Sequence, residues 1–113
     1  MKGDRNIIAL LNGILTNELT AVNQYFLHAR MYEAWGFLKL GKTTYEESIE
    51  EMKHADALTK RILLLEGLPN FQDLRKLAIG ENVPECLAAD LEVERTGRAA
   101  LIPAIEACEQ AKD

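Results

Sequence analysis

The sequence predicts an all-α domain, a helical bundle to which this chain contributes three long helices. Apolar residues make up 48% of the 113 residues, and the seven Gly and three Pro lie mostly between stretches with helical spacing. No stretch shows the alternation of apolar and polar residues that is typical of a strand ladder. The length suits one domain with a hydrophobic core, so residues 1–113 are predicted to form a single domain.

The first helix is predicted over residues 4–35. Asp4 is suited to cap its start, and Gly36 is suited to end it. Apolar residues recur at spacings of three and four, which is typical of an amphipathic helix. They are Ile7, Leu11, Leu15, Val22, Tyr25, Ala29 and Tyr32.

The second helix is predicted to start at Thr43 or Thr44, because a glutamate follows each of these threonines three residues later, as in a capping box. It is predicted to run to Glu66, since Gly67 and Pro69 come directly afterwards. The segment GLPNFQDLRKLAIGEN, residues 67–82, is then predicted to be a loop.

The third helix is predicted to begin after Asn82 as N-cap, with Pro84 in its first turn, and to reach about Gln110. Gly97 and Pro103 are poorly suited to a helix interior, so a kink is predicted between them. Long amphipathic helices usually form bundles of four, and two of these three helices have an apolar face wider than one partner would cover. A further element is therefore expected to complete the packing.

The net charge, the N-terminal sequence and the cysteines indicate which partners, location and thiol chemistry to expect. With a net charge of −5, the chain favours cationic partners over nucleic acid. The N-terminus lacks the pattern of a secretory signal, and no stretch is apolar enough to span a membrane, so a cytoplasmic location is expected. Cys86 and Cys108 have neither zinc-site nor redox-motif spacing and are predicted to be ordinary thiols.

Two acids interrupt apolar stripes. Glu18 lies three residues after Leu15, and Glu94 lies three residues after Leu91, so helical geometry places each carboxylate among core positions. A buried carboxylate needs a cation or hydrogen-bond donors. The spacing leaves three explanations open for Glu18: a rotated helix that places it at the edge of the stripe, a pair with a hydrogen-bond donor in the core, or a metal site.

The second helix offers a third acid and a histidine. Glu51 and His54 lie three residues apart and share one helical face. This pair is common on solvated faces, but together with an interior acid on a preceding long helix it holds di-iron centres in four-helix bundles. Oxygen and imidazole ligands without thiolates suit iron or manganese. The candidate metal ligands are therefore Glu18, Glu51, His54 and Glu94.

Met52 points about 100° away from Glu51 around the helix axis. It shares its face with Tyr45 and Ile49. A methionine in this position either fills gaps in a core or interface, or acts as a haem ligand. The spacing alone leaves both roles open.

Several segments resemble the bacterioferritin family. In order they are MKGD at 1–4, NELTAVNQYFLHARMYEAWG at 17–36, ESIEEMKHAD at 47–56, RILLLEGLPNFQDL at 61–74 and IGENV at 79–83. The resemblance covers the whole chain and implies a ferritin-like four-helix subunit in a hollow homo-oligomeric shell of about 24 subunits. Such a shell oxidises Fe²⁺ with O₂ or H₂O₂ and stores ferric mineral, and a small ferredoxin is implied as electron donor for iron release.

By matching motif, the resemblance implies that Glu18, Glu51, His54 and Glu94 are both the metal ligands and the catalytic residues of a di-iron ferroxidase centre, in which Glu51 bridges the two irons. It also implies that Met52 is the axial ligand of haem b, paired with the same methionine of a second subunit.

The sequence also departs from the family pattern. Family members continue past the position of Asp113 with a fourth helix that carries a second Glu-x-x-His and with a short fifth helix. This sequence contains neither helix, nor the second bridging Glu and second His, so it is expected either to be part of a longer chain or to be completed by a helix from another chain. Glu46 stands where many relatives have an inner-surface histidine, whereas Tyr25 resembles the family's tyrosine near the site. Two functions stay open: ferroxidase-based iron storage, and a non-enzymatic haem-binding or structural subunit.

Overall fold

The computed structural model describes residues 3–111, and these residues contain three α-helices and no strand. The helices are α1 (Arg5–Ala34), α2 (Leu38–Leu64) and α3 (Val83–Ala111). The all-helical prediction is confirmed. The two ends of the predicted domain, residues 1–2 and 112–113, lie outside the described residues.

The predicted ends of α1 are confirmed. The Asp4 carboxylate accepts a hydrogen bond from the Asn6 N–H at 2.6 Å, which satisfies one of the free donors of the first turn. Gly36 has φ 93°, a left-handed conformation that only glycine adopts without strain, and the chain reverses there.

The predicted start of α2 is wrong. The helix begins at Leu38, and Thr44 is buried inside it. Contact with α1 organises the first turn: a Cβ atom on Gly41 would lie 3.0 Å from the Ala29 carbonyl oxygen, so the two backbones approach closely. This packing extends the helix past the threonine signals, since tertiary contacts override local capping preferences.

The end of α2 also differs from the prediction by two residues. The helix ends at Leu64, and Glu66 has φ 63° in the turn that follows. Gly67 donates its N–H to the Ile62 carbonyl at 2.9 Å, which satisfies one of the last carbonyls of the helix.

Asn82 caps α3 as predicted. Its side-chain oxygen accepts from the Glu85 N–H at 3.0 Å, and the Glu85 carboxylate in turn accepts from the Glu81 N–H at 3.0 Å. The helix continues through Gly97 and Pro103. The kink between these two positions stays a prediction.

The loop 67–82 runs along α1 and sets the topology. Its backbone N–H groups donate to α1 side chains in order: Asn70 to Asn12, Arg75 to Thr20, Ala78 to Gln24 and Gly80 to His28. The loop therefore returns the chain to the far end of α1. As a result, α2 and α3 are parallel to each other and antiparallel to α1.

α1 lies between the other two helices. It packs against both α2 and α3, whereas among the described residues no Cα atom of α2 lies within 8 Å of one in α3. The molecule is elongated, 49 × 21 × 21 Å. The core lies mainly between α1 and α2, with residues Ile7, Leu11, Leu15, Leu19, Ala55, Ile62 and Leu65. Within residues 3–111, no helix has the length and apolar character needed to cross a bilayer.

Candidate metal centre

Three of the predicted ligands come together at the α1–α2 interface. One ligand atom from each of Glu18, Glu51 and His54 lies within 4.8 Å of the other two. His54 Nδ1 is 3.4 Å from Glu18 Oε2 and 3.4 Å from Glu51 Oε2. Glu51 and His54 meet because they are one turn apart, and the register of the two helices brings Glu18 opposite them.

The Glu18 carboxylate is short of hydrogen-bond donors. Its side chain is 20% exposed, and its buried Oε2 atom has no hydrogen-bond partner among the described residues. A carboxylate oxygen removed from water without a donor is unfavourable unless a cation compensates it. The cluster formed by this carboxylate, the Glu51 carboxylate and the His54 imidazole is therefore suited to binding a metal cation.

The pKa of Glu51 reflects the same environment. Burial raises the pKa of this carboxyl group above its usual range, and repulsion from Glu94 raises it further, while His54 acts in the opposite direction. A bound cation would favour the ionised form and reverse the shift. A cation at this site would thus stabilise the ionised form of the Glu51 carboxyl group.

Glu94 lies beside this cluster rather than within it. Its carboxylate accepts a hydrogen bond from the Tyr25 hydroxyl. Burial, followed by this hydrogen bond and by repulsion from Glu94, raises the pKa of Tyr25, so the phenol stays a donor. The assignment of Glu94 as a metal ligand stays a prediction.

An acidic pocket of about 410 Å³ adjoins the cluster between α2 and α3. Burial, with repulsion from Asp90 and Glu94, raises the pKa of the Glu47 carboxyl group there. Glu46 also lines this pocket. Its lining residues are Thr43, Glu46, Glu47, Glu50, Glu51 and Glu94.

Met52 lies on the other side of α2, as predicted. Its side chain is 47% exposed, and the apolar side chains of Phe26 and Ile49 are also exposed. Nearby, the Arg30 guanidinium lies over the Tyr45 ring at 4.7 Å from the centroid. Because Met52 is not needed to fill the core, its thioether is available at the surface. This agrees with the interface and haem-ligand explanations and not with a core role.

The sequence analysis missed a buried polar stripe on α1. Asn17, Thr20, Gln24 and His28 are all buried, and none of them is among the candidate metal ligands. Gly80 donates to His28 Nε2, so Nδ1 carries the proton and donates to Asp90 at 2.8 Å. The three- and four-residue spacing of these polar residues was a signal that could have revealed the stripe.

The two cysteines carry free thiols, as predicted. Cys86 is buried near the start of α3, and burial raises the pKa of its thiol. A buried thiol with a raised pKa behaves as a small apolar group.

Comparison with known proteins gives the family. A family model described as "Ferritin-like domain" matches residues 8–113. Over all 113 residues, the chain is 49% identical to a bacterioferritin of Mycobacterium leprae and covers 71% of that protein. It is likewise 52% identical to a bacterial ferritin of Pseudomonas aeruginosa, covering 73% of it, and 49% identical to a bacterioferritin of Brucella melitensis, covering 70% of it. With three long helices and a carboxylate–histidine cluster between the first two, the chain belongs to the bacterioferritins within the ferritin-like family.

Proposed function

We propose that this chain takes part in iron storage by oxidising Fe²⁺ at a ferroxidase centre that contains Glu18, Glu51, His54 and Glu94. The observation that carries the proposal is the convergence of Glu18, Glu51 and His54 around a buried carboxylate oxygen without a donor. Hard oxygen ligands favour Fe³⁺ over Fe²⁺ and are not themselves oxidised. Two Fe²⁺ ions give one electron each, and these two electrons with two protons from water reduce O₂ to H₂O₂ or H₂O₂ to two water molecules. The Fe³⁺ product is then added to the mineral.

The chain's own residues have distinct parts in this reaction. Glu18 and Glu51 supply negative charge, and His54 supplies a neutral imidazole nitrogen. Tyr25 orients Glu94 through its hydroxyl. The acidic pocket beside the cluster attracts cations, so it serves as the path by which iron enters or leaves. The proposed assembly is a homo-oligomeric shell of about 24 subunits, with a small ferredoxin as electron donor for iron release.

Removal of a ligand tests the iron centre. Glu18→Ala and His54→Ala are each expected to slow the initial oxidation of Fe²⁺ by the assembled protein at least about 100-fold, without loss of helix content. Stopped-flow absorbance measures the rate, and circular dichroism measures the helix content. Asp56→Asn is the matched control, because this exposed acid of α2 pairs with Lys60 at 3.1 Å and lies outside the cluster. Unchanged initial rates in both alanine variants would show that the ligand set is wrong.

We also propose that Met52 binds haem b at an interface with a second copy of the chain. The exposed thioether supports this role, as does the exposed side chain of Ile49, one turn earlier on α2. Phe26 of α1 is also exposed, and its ring centroid lies 6.4 Å from that of Tyr45 on α2. When bound, haem supplies one-electron chemistry for iron release. The part of this chain is to offer one sulfur ligand and an apolar surface.

Met52→Leu is expected to remove haem while Fe²⁺ oxidation persists, because Met52 and Glu51 lie on different faces of α2. The substitution nearly conserves volume, so it should change stability by less than about 1.5 kcal/mol. The haem absorbance spectrum of purified protein measures the effect, and Met31→Leu in α1 is the control. A bis-thioether spectrum in Met52→Leu protein would rule out this assignment.

The second candidate function is a haem-binding or structural subunit without ferroxidase activity. It is favoured by the position of Glu94 outside the three-residue cluster. Oxygen consumption after addition of Fe²⁺ separates the two candidates. A rapid first phase in fixed proportion to the protein indicates a ferroxidase centre, whereas a haem spectrum without that phase indicates the second candidate.

A further inference from the structure

A second pocket, unrelated to the acidic one, opens where the loop 67–82 passes between α1 and α3. Its volume is about 160 Å³. Both polar and apolar side chains line it: Asn17, Thr20, Gln24, Arg75, Lys76, Ala78, Ala89, Glu92, Val93 and Thr96.

Asn17 gives this pocket an unused hydrogen-bond donor. Its side chain is only 5% exposed, and its Oδ1 atom accepts a hydrogen bond from the Arg75 Nε–H. Rotating the amide by 180° would place two donors face to face, so Arg75 determines which atom is the oxygen. Asn17 Nδ2 is then left buried, with no acceptor among the described residues.

The neighbouring polar groups on α1 are already used. The Thr20 hydroxyl donates to the Thr16 carbonyl at 2.7 Å and accepts from the Arg75 N–H at 3.1 Å. Gln24 accepts from the Ala78 N–H at 2.9 Å and donates to Asp90 at 2.9 Å. The polar atoms of these two side chains therefore stabilise the wall of the pocket and are not needed as hydrogen-bond partners of a ligand.

The positive charges at the pocket are not neutralised. Within residues 3–111, neither Arg75 nor Lys76 forms an ion pair with a carboxylate. Glu92 is the acid of the lining, and it lies 3.9 Å from Arg95, which partly offsets its charge. Among the described residues, the donors at this pocket that have no acceptor are thus Asn17 Nδ2, the terminal NH₂ groups of Arg75 and the ammonium group of Lys76.

We propose that this pocket binds a small organic carboxylate. One carboxylate oxygen accepts from Asn17 Nδ2, and the other accepts from the free N–H groups of Arg75, a pairing for which the planar guanidinium is well suited. The short apolar part of the ligand packs against Ala78, Ala89 and Val93. A phosphate dianion would lack that apolar contact and would be repelled more strongly by Glu92.

Calorimetric titration of the purified assembly with butyrate tests the proposal. The expected dissociation constant is on the order of 1 mM, as suits so small a ligand. Butyramide, which has the same shape without the charge, and inorganic phosphate are each expected to bind at least about tenfold more weakly. Absence of butyrate binding at about 10 mM, or equal binding of butyramide, would overturn the proposal.

Two variants locate the binding. Asn17→Asp keeps the acceptor for Arg75 but replaces the donor with a second carboxylate oxygen, so butyrate binding should fall at least about tenfold. Arg75→Gln is expected to lower binding about fivefold and provides an independent test if Asn17→Asp does not fold. Lys60→Gln, a change of equal charge on α2, is the control and should bind butyrate as the unaltered protein does. Unchanged binding in Arg75→Gln protein would contradict the proposed site.

Discussion

Glu51 is a residue at which the stability of the metal-free protein and the proposed binding of iron oppose each other. Burial and the nearby Glu94 raise the pKa of its carboxyl group, whereas His54 lowers it. In the absence of metal, the folded protein therefore binds a proton at this position more readily than the unfolded chain does. Protonated Glu51 therefore adds to the free energy of unfolding. This contribution is fully present below the unfolded-state pKa and is lost as the pH rises through the folded-state pKa.

Replacing Glu51 tests this account. In metal-free protein at pH 7, Glu51→Gln is expected to increase the free energy of unfolding by up to about 1 kcal/mol, since it removes a charge from a partly buried position. Near pH 3, which is below the ordinary glutamate pKa of about 4.3, the group is protonated in the folded and unfolded states and the difference should largely vanish. Urea denaturation at both pH values measures it, and Glu50→Gln, an exposed residue paired with Lys53 at 2.9 Å, is the control. Destabilisation by Glu51→Gln at pH 7 would contradict the argument.

Among the elements, α1 has the most varied role. One side of it packs against α2 through apolar residues, and another holds the loop 67–82 by a row of buried polar side chains. A long loop without secondary structure needs partners for its backbone N–H groups, and α1 provides them. This explains how the chain returns along the whole bundle without forming a fourth element.

Gln24 is the centre of that row, and its replacement tests the role of the row. Gln24→Met conserves the approximate size but leaves the Ala78 N–H without its acceptor and leaves Asp90 with His28 as its remaining side-chain donor. The expected loss is about 2–3 kcal/mol in the free energy of unfolding, with faster hydrogen exchange at Ala78 and Gly80. Thr59→Ala is the control, because its hydroxyl bonds only to the Ala55 carbonyl of its own helix. A loss as small as that of the control would show that the loop is held by other contacts.

At the scale of the whole molecule, α2 and α3 leave an apolar groove between them. A pocket of about 290 Å³ lies there, and the side chains of Leu101 and Ile105 are exposed beside it. Full burial of a large apolar side chain contributes about 1.5–3 kcal/mol. Several such residues together equal a substantial part of the usual stability of a domain, about 5–15 kcal/mol.

We therefore expect the 113-residue chain, expressed by itself, to associate with other copies and to unfold with low cooperativity. Size-exclusion chromatography with light scattering measures the mass, and a thermal melt followed by circular dichroism measures cooperativity. Leu101→Gln together with Ile105→Gln should reduce the association, whereas Lys60→Gln should not affect it. A compact monomer with a sharp unfolding transition would refute this expectation.

The sequence by itself determined the number of helices, both ends of α1 and the cap of α3, because these features depend on residues close together in the chain. It also separated Glu51 from Met52, since a step of one residue turns a helix by about 100°. The pairing of Glu51 with His54 followed in the same way from their spacing. All of these conclusions need only local geometry.

The tertiary structure decided what depends on contacts between distant residues. The register of α1 against α2 places Glu18 beside Glu51 and His54, and close packing at Gly41 moves the start of α2 to Leu38. The buried polar row of α1 finds its hydrogen-bond partners only when the loop 67–82 lies along it. The free donor of Asn17 is likewise apparent only once Arg75, 58 residues further along the chain, has taken its oxygen. Local spacing cannot reveal such pairings, because burial and hydrogen bonding across elements arise only when the helices pack.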